Sequence, residues 1–523
     1  SDSKANIKIS SQRDLSLNGR IMADGSKGGN IELYAENSVK KAPSSYLDAS
    51  GTYKGGRIAV NSNTKIISSG SLIASSGSGY GGVVDISSKN IELKASNIDA
   101  SGLKRGGLVR IGGELQGGNY KFKNSQSYRE MKIAQKANTI VRNAEKVSVD
   151  NLTSVNVSSK RGKGGVAIIW SEKETRFSGQ LNATGKEFVK LNQNNQITKF
   201  TGLDPPPKKG DNEKGKDPPI SEVTDRKFSK LITNGFDPPV NKKRGNLGSS
   251  DNIVNELTEN GIDKLSKSLL ISKTKAFSTE QAKNQSPTMF DISPPPRYDK
   301  GGGFVEISSK ELLKVTNFKN IEVGNGTLLL DPRYIRIQSS DSDAYGISNG
   351  GLYAQNSSGT TILTPGNITS LLNAGTDVTL QAHHTIFVDS AINANSGSSS
   401  DLTLQAGFRV DIDANIDIAD GDLTIMTNDL VSNGVNAGLS STNGTLVANG
   451  YTLSANNITI DNMGRDSHVP TNSFLPAINA ANKITIRGNA ALGRGGTGIT
   501  HRLYGNLTAN GTGNAIEIAS ARL

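Results

Sequence analysis

A Gly-Gly doublet recurs near the start of the chain at almost constant spacing. The doublets begin at Gly28, Gly55, Gly81 and Gly106, which places them 27, 26 and 25 residues apart. A repeat of this length is typical of stacked repeat architectures. Each doublet is followed by a segment that alternates apolar and polar residues, with the sequences NIELYA, RIAVNS, VVDISS and LVRIGG. Because period-two alternation places one side chain in a core and the next in solvent, each segment is predicted to be a strand.

Further short strands are predicted between the doublets, at TKIIS, SLIAS, NIELKA and NIDAS, separated by Gly, Ser and Asn. Helical repeats are excluded, because no period holds the roughly ten residues of 3.6-residue periodicity that each helix would need. We therefore predict an all-β fold, a parallel β-solenoid. Gly would supply the positive φ of its tight corners, and Asn or Ser side chains would stack in ladders along its axis.

The C-terminal part repeats with a different sequence. Its predicted strands are DVTLQA at Asp377, DLTLQA at Asp401, DLTIMT at Asp422, NITID at Asn457 and KITIR at Lys483, separated by 24, 21, 35 and 26 residues. The gap of 35 residues predicts a loop or an additional strand. The solenoid is thus expected to continue into this region.

Between residues 188 and 300 the alternation is lost. DPP motifs at Asp204, Asp217 and Asp237 argue against core strands, because Pro cannot donate a hydrogen bond to a sheet ladder. Apolar residues near helical spacing predict one or two short amphipathic helices around Gly261. These residues are Ile253, Leu257, Ile262, Leu265 and Leu269.

A near-repeat defines where the solenoid resumes. GGVVDISSK begins at Gly81 and GGFVEISSK begins at Gly302. We therefore predict N-terminal β-helix coils over 1–187, an inserted projecting segment over 188–300, and a continuation of the β-helix over 301–523. Such an insertion is tolerable because loop-closure entropy grows slowly with length.

Charge is distributed unevenly between the two ends of the chain. The formal net charge is +11, yet residues 361–523 hold seven Lys and Arg against twelve Asp and Glu. The first 360 residues therefore carry +16, which could attract acidic polysaccharide, lipopolysaccharide or nucleic acid, or could be a solvated basic surface. The absence of Cys excludes disulfides and thiolate metal sites and is consistent with a secreted bacterial chain.

Five segments carry a resemblance to a known family. They are GGVAIIWSEKETRFSGQLNATG from Gly164, GGFVEISSKELL from Gly302, GTLLLDPRYIRI from Gly326, LLNAGTDVTLQA from Leu371 and INANSGSSSDLTLQAG from Ile392. In this order they resemble the filamentous haemagglutinin-like exoproteins of two-partner secretion. The resemblance implies a right-handed parallel β-helix, export through an outer-membrane partner pore, and an adhesin at the bacterial cell surface or released from it. The family's N-terminal secretion domain is not recognisable, so the chain is expected to be a portion of a longer exoprotein.

The GTLLLDP segment has a local peculiarity. Leu328, Leu329 and Leu330 form a continuous apolar run, which would expose one leucine in an alternating strand unless a neighbouring loop covers it. Asp331 and Pro332 are predicted to form a corner, since Pro fixes φ and Asp favours turns. A structural role is favoured over a binding role.

The densest acidic segment is DIDANIDIADGD, from Asp411 to Asp422. It imitates part of an EF-hand loop through Asp411, Asp413, Asn415 and Asp422, but it lacks the Gly and the bidentate Glu of such loops. The alternative interpretation is a strand whose isoleucines point inward, with solvated carboxylates outside. Asp411 and Asp413 with Arg409 also form an enzyme-like constellation, because some β-helix enzymes cleave acidic polysaccharides with clustered Asp and a basic residue.

The histidines give no metal site. His383 and His384 are adjacent, and adjacent strand residues point to opposite faces, so they cannot readily bind one metal ion. No GxSxG, P-loop or HExxH motif is present. We expect no catalytic residues, cofactor or metal.

The leading hypothesis is a non-enzymatic adhesin or extracellular filament component, located at the surface of a Gram-negative-type bacterium or outside it. Its expected partners are the secretion pore during export and a glycan or protein on a host or bacterial surface, but not nucleic acid. A β-helix polysaccharide-processing enzyme is the alternative, and self-association into filaments through unpaired strand edges is a further hypothesis. The predicted partner-binding residues lie in the insertion and are Lys208, Lys209, Lys242, Lys243 and Arg244.

Overall fold

The computed structural model is all-β, and its strands wind into a parallel β-solenoid, as predicted. Among the described residues, every strand pairing is parallel except that of the hairpin formed by Phe188–Leu191 and Ile197–Phe200. The solenoid belongs to one unit that combines Ser1–Gly202 with Asp291–Leu523. The structure describes residues 5–118, 141–186, 188–191, 197–200, 301–339, 360–395, 397, 399–427, 446–448, 450–462, 472–488 and 500–520.

The strands are short in both parts of the chain, and some of them bend and contribute to two sheets. Before the insertion they are Asn6–Ser11, Asp14–Leu17, Arg20–Met22, Gly25–Lys27, Asn30–Ala35, Ser38–Lys41, Tyr46–Asp48, Gly51–Lys54, Arg57–Ser62, Lys65–Ile73, Val83–Ser87, Asn90–Asp99, Leu108–Ile111, Ala144–Val149, Ser154–Asn156, Val166–Phe177 and Gln180–Asn182. After it they are Phe304–Ser309, Leu312–Val315, Ile321–Glu322, Thr327–Asp331, Tyr334–Ile337, Thr360–Leu363, Asp377–Ala382, Thr385–Val388, Ile392–Asn393, Leu402–Ala406, Arg409–Ile412, Ile416–Asp417, Leu423–Thr427, Leu446–Val447, Thr452–Asn462, Asn472–Leu475, Ala477–Gly488, Thr500–Leu503, Leu507–Ala509 and Ile516–Ser520.

Most of the described coils contribute one strand to each of three sheets. The first sheet starts with Asn6–Ser11 and ends with Ile516–Ser520, and its strands pair in register from coil to coil. The second sheet follows it around the coil, from Asp14–Leu17 onward, and the third starts with Arg20–Met22. Two or three strands per period, as the sequence predicts, is therefore the observed arrangement.

The core consists of inward side chains stacked in columns along the axis. In the first sheet, Ile31 lies beside Ile58 and Leu33 beside Val60, and all four are fully buried. Fully burying one such side chain contributes about 1.5–3 kcal/mol, and a one-residue slip would turn every one of them outward. The alternating pattern therefore fixes the register of the stack.

The Gly-Gly doublets are required by close approach of the backbone. A β-carbon on Gly55 would lie 1.9 Å from the carbonyl oxygen of Ala74, and one on Gly56 would lie 2.0 Å from that of Gly29. The other doublets repeat these contacts. Their φ angles are not positive, so the predicted left-handed corner is wrong for the doublets. Glycine is needed because successive coils leave no room for a side chain.

The solenoid continues directly across the insertion. Val166–Phe177 pairs in parallel with Phe304–Ser309, and Gln180–Asn182 pairs with Ile321–Glu322. The Gly164 N–H donates to the Gly301 carbonyl at 3.1 Å. The coils before and after the insertion are therefore neighbours in the stack, and the helices predicted around Gly261 lie outside the described residues.

One helix replaces a strand in the third sheet. Pro365–Asn373 follows a capping box, in which the Thr364 hydroxyl accepts from the Asn367 N–H and the Asn367 side chain accepts from the Thr364 N–H. The helix buries Ile368 and Leu372 in the solenoid core. This helix was not predicted from the sequence.

The outward face of the first sheet is covered in the middle of the stack. Leu329 is only 5% exposed and packs with five other outward residues, as predicted for the leucine run. Residues 112–118, here called the covering segment, lie over this apolar group, and Gly117 contacts the Trp170 ring. The group consists of Leu108, Val166, Ile168, Trp170, Phe304 and Leu329.

Candidate binding surfaces

The residues predicted to bind a partner within the insertion, Lys208, Lys209, Lys242, Lys243 and Arg244, lie outside the described residues. Two other surfaces of the solenoid are candidate functional sites. One is the cluster of carboxylates and arginines found from the sequence. The other is a basic surface that sequence analysis missed.

The structure brings Arg409, Asp411 and Asp413 together on the second sheet. Arg409 and Asp411 point outward from one strand and form an ion pair at 2.7 Å. On neighbouring coils, Arg336 pairs with Asp389 at 3.0 Å, and its guanidinium lies 4.7 Å from the centroid of the Phe387 ring. The cluster therefore extends over three coils.

Partial desolvation and neighbouring charge raise the pKa of two carboxyls in this cluster, the half-buried Asp389 and the more exposed Asp413. Desolvation raises the pKa of Asp413, and the nearby charge of Asp411 raises it further. Desolvation likewise raises the pKa of Asp389, although Arg336 opposes the shift. A protonatable carboxyl thus lies beside an ion-paired one.

The predicted calcium alternative is not supported by the hydrogen bonds of its members. The Asn415 side chain accepts from the Thr452 N–H at 2.9 Å, and the Asp422 carboxylate accepts from the Asn457 side chain at 2.8 Å. These side chains connect coils to one another. Among the described residues, no group of His, Asp and Glu could hold a metal ion. The inward isoleucines Ile412, Ile416 and Ile418 are buried, as the strand interpretation predicts.

The two adjacent histidines have separate environments. His384 is 4% exposed, its Nδ1 lies 2.7 Å from the Thr385 hydroxyl, and its ring packs between Tyr334 and Phe408. His383 is half-buried, and desolvation lowers its pKa to about 3. Both are packing residues in this structure.

The basic surface follows the corner that precedes each Gly-Gly doublet. Lys27 pairs in register with Lys54, Lys54 with Tyr80, Tyr80 with Arg105, and Arg105 with Lys163. Backbone hydrogen bonds of 2.8–3.0 Å between successive coils fix these five positions in one column. We call the column and its basic and aromatic neighbours the basic stripe, which comprises Lys27, Tyr53, Lys54, Tyr80, Lys104, Arg105, Lys160, Arg161, Lys163 and Lys186.

The stripe is exposed at Lys27 and Lys54, whereas Arg105 and Lys163 are half-buried. Tyr53 and Tyr80 are 63% and 50% exposed. The corner sequences, at residues 25–29, 51–56, 77–82, 102–107 and 159–165, contain no Asp or Glu. The doublet spacing could have revealed the stripe, because a basic or aromatic residue stands immediately before each doublet. That signal is visible only when the repeats are aligned on the glycines.

Comparison with protein-family models finds no match, and comparison with curated proteins finds no significant similarity. Within the described ranges, no helix has the length and apolar character needed to cross a membrane.

Proposed function

We propose that the protein is a non-enzymatic adhesin, a β-solenoid stalk that acts outside the bacterial cell or at its surface. The observation that carries this proposal is the basic stripe, a partly exposed array of cations and aromatic rings held in register by backbone hydrogen bonds. A rigid array of this kind suits binding to an extended surface, because repeated weak contacts add along its length.

The route of export is part of the same proposal. The segments from Gly164, Gly302 and Gly326 resemble two-partner secretion exoproteins, which are exported through an outer-membrane pore. A chain without Cys meets no disulfide barrier during export. In a solenoid each coil contacts mainly its neighbours, so folding can proceed coil by coil as the chain emerges.

Binding to intact cells tests the proposal. Fluorescently labelled full chain is incubated with epithelial cells and with Gram-negative bacteria, and bound protein is measured by flow cytometry over a range of salt concentrations. We expect saturable binding to at least one surface that weakens as salt rises, since exposed charge pairs are screened. Absence of binding to every surface at low salt would contradict an adhesin.

A polysaccharide-processing enzyme is the second candidate, favoured by the carboxyl pair on the second sheet. Asp413, whose pKa is raised, lies near ion-paired Asp411, and general acid catalysis requires such a protonatable carboxyl. The enzyme hypothesis predicts turnover of a uronate polymer that Asp411→Ala and Asp413→Ala each abolish. The matched variant Asp420→Ala, at an exposed turn, should retain that turnover. Unchanged polymer length after prolonged incubation with wild-type protein would reject the enzyme.

A further inference from the structure

We infer that the solenoid contains a hinge between the coil that starts with Phe304–Ser309 and the coil that starts with Thr327–Asp331, with the first sheet as its axis. We call the boundary between these two coils the seam. The second and third sheets are interrupted at the seam, whereas the first sheet passes through it. A hinge at this position would let the stalk bend, whichever of its surfaces binds a partner.

The first sheet is continuous across the seam. Phe304–Ser309 pairs in register with Thr327–Asp331, and that strand pairs with Asp377–Ala382 of the next coil. At the corner that leads into the second sheet, the Arg333 N–H also donates to the Glu311 carbonyl at 3.3 Å. Backbone hydrogen bonds therefore hold the two coils together along this side.

The covering segment strengthens the first sheet at the same place. The Gln116 N–H donates to the carboxyl oxygens of Glu306 at 3.1 Å, and the Gln116 side chain donates to that of Gln381 at 2.9 Å. Glu306 lies before the seam and Gln381 lies after it. One residue of the covering segment thus joins first-sheet strands on both sides of the seam.

The second sheet is interrupted at the seam. Leu312–Val315 pairs with Val166–Phe177 on one side, but among the described residues no backbone ladder joins it to Thr360–Leu363 on the other side. The Thr361 hydroxyl lies in this gap, where it donates to the Leu313 carbonyl at 2.8 Å and accepts from the Leu313 N–H at 3.2 Å. Both residues are buried. A side-chain hydroxyl therefore replaces the ladder that joins other coils.

The second sheet also has one more strand than the first sheet in this region. Between Leu312–Val315 and Thr385–Val388 it contains both Thr360–Leu363 and Tyr334–Ile337, whereas the first sheet contains only Thr327–Asp331 over the same coils. The second sheet therefore spans three strand spacings, about 14 Å, where the first sheet spans two, about 10 Å. A change in the width of the seam would alter the angle between the coils without stretching the first sheet.

The third sheet is interrupted by a helix. Ile321–Glu322 pairs with the preceding coil and Ile392–Asn393 pairs with the following coil. Pro365–Asn373 contacts Ile392–Asn393 on one side and Phe318–Asn320 on the other, and it buries apolar side chains in the core. Apolar contacts are not directional, so packed helices can slide by small amounts where a ladder of hydrogen bonds cannot.

Distances between spin labels test the hinge on the full chain. The chain contains no Cys, so labels can be attached at introduced Cys residues alone. The seam pair, Glu322→Cys/Asn479→Cys, uses exposed third-sheet positions on the two sides of the helix, about 25 Å apart. The control pair, Lys40→Cys/Arg176→Cys, uses exposed second-sheet positions of the N-terminal coils, four coils or about 19 Å apart.

Double electron–electron resonance measures how widely each distance is distributed. We expect the distribution of the seam pair to be roughly twice as wide as that of the control pair, because no ladder restrains the second and third sheets at the seam. Thr361→Val keeps the side-chain shape but leaves the Leu313 N–H and carbonyl without their partner, so it should widen the seam distribution further. Thr361→Ser keeps the hydroxyl and should resemble wild type. Neither variant should change the control pair.

Two results would overturn the hinge. One is a seam distribution as narrow as that of the control pair in the chain with Thr361 intact, a comparison that needs no variant at that position. The other is equal widening of both pairs by Thr361→Val, which would indicate loosening of the whole fold. Circular dichroism verifies that each labelled chain keeps its β fold. The adhesin proposal is tested separately by cell binding and does not depend on either result.

Discussion

The N-terminal and C-terminal parts of the solenoid share one core but build their corners differently. Inward residues of the first sheet are aliphatic in both parts, as in the pairs Ile31 with Ile58 and Leu402 with Leu423. The N-terminal corners are Gly-Gly doublets, in which backbone lies directly against backbone. The C-terminal corners are closed by side-chain hydrogen bonds instead.

In the C-terminal part, acidic and amide side chains form the ladder that the sequence predicted for Asn. The Asp377 carboxylate accepts from the Asp401 N–H at 2.9 Å, and the Asp401 carboxylate accepts from the Asp422 N–H at 3.0 Å. Asn457 and Asn482 continue it, with a side-chain hydrogen bond of 2.8 Å. Either glycines or side chains can therefore close a corner, provided that the backbone N–H groups of each coil have hydrogen-bond acceptors.

The two ways of closing a corner account for the difference in net charge between the N-terminal and C-terminal parts of the solenoid. Corners closed by glycine use only the backbone of the preceding residue, which is Lys, Tyr or Arg in the basic stripe. Corners closed by side chains commit Asp and Asn to the ladder. The contrast predicts that substitution at a doublet damages the fold, whereas substitution at the carboxylate ladder removes one hydrogen bond.

The largest effect is expected at a doublet. Gly55→Ala should lower the free energy of unfolding by about 3 kcal/mol, since the new β-carbon would lie 1.9 Å from the Ala74 carbonyl oxygen and the coils would have to separate. Gly77→Ala is the matched control, because a β-carbon there meets no atom within 4 Å. Urea denaturation of both variants measures the difference. Equal stability of the two variants would refute the close-approach account.

A second large effect concerns a carboxyl that lies buried under the covering segment. Glu306 is fully buried under the covering segment, accepts from the Gln116 N–H at 3.1 Å, and has its pKa raised by desolvation to about 8. The ordinary value is 4.5. Because the folded pKa is the higher one, the stability contributed by the protonated group is complete below pH 4.5 and is lost as the pH rises to about 8.

Glu306→Gln should remove this pH dependence. Gln resembles the protonated carboxyl in shape, so the variant should be more stable than wild type at pH 8 by on the order of 2 kcal/mol and nearly equal to it at pH 4.5. Glu32→Gln is the control, since Glu32 stands in the same outward column but is only half-buried. Thermal melts between pH 4.5 and 8 provide the measurement. A parallel pH profile in wild type and Glu306→Gln would contradict a neutral buried carboxyl.

The covering segment marks the limit of prediction from the sequence. The inward columns follow from alternation alone, and the near-repeat around Gly81 and Gly302 correctly placed the resumption of the solenoid. Alternation also assigns Asp85 and Glu306 to solvent, yet both are buried. Their burial depends on residues 112–118 folding over a sheet formed partly from a distant segment, and no local pattern encodes that contact.

The candidate sites likewise combine features that the sequence predicts with features that it does not predict. Arg409, Asp411 and Asp413 lie within five residues of one another, so strand geometry predicts their proximity. Asp389 and Arg336 join them from other coils, and the spacing of the C-terminal repeats is too irregular to give that register. The basic stripe is regular in sequence, but its members are single residues before glycines, and a count of net charge does not locate them on one corner.

The smallest effect is expected in the carboxylate ladder. Asp401→Ala should lower the free energy of unfolding by about 1 kcal/mol, because the Asp422 N–H loses its side-chain acceptor at a corner that water can reach. Asp401→Asn should recover most of that loss, since an amide oxygen can accept the same hydrogen bond, as Asn457 does from Asn482. Urea denaturation at neutral pH separates the two variants. If Asp401→Asn is as destabilised as Asp401→Ala, charge rather than hydrogen bonding closes the C-terminal corners, and the contrast with the glycine corners would then be electrostatic.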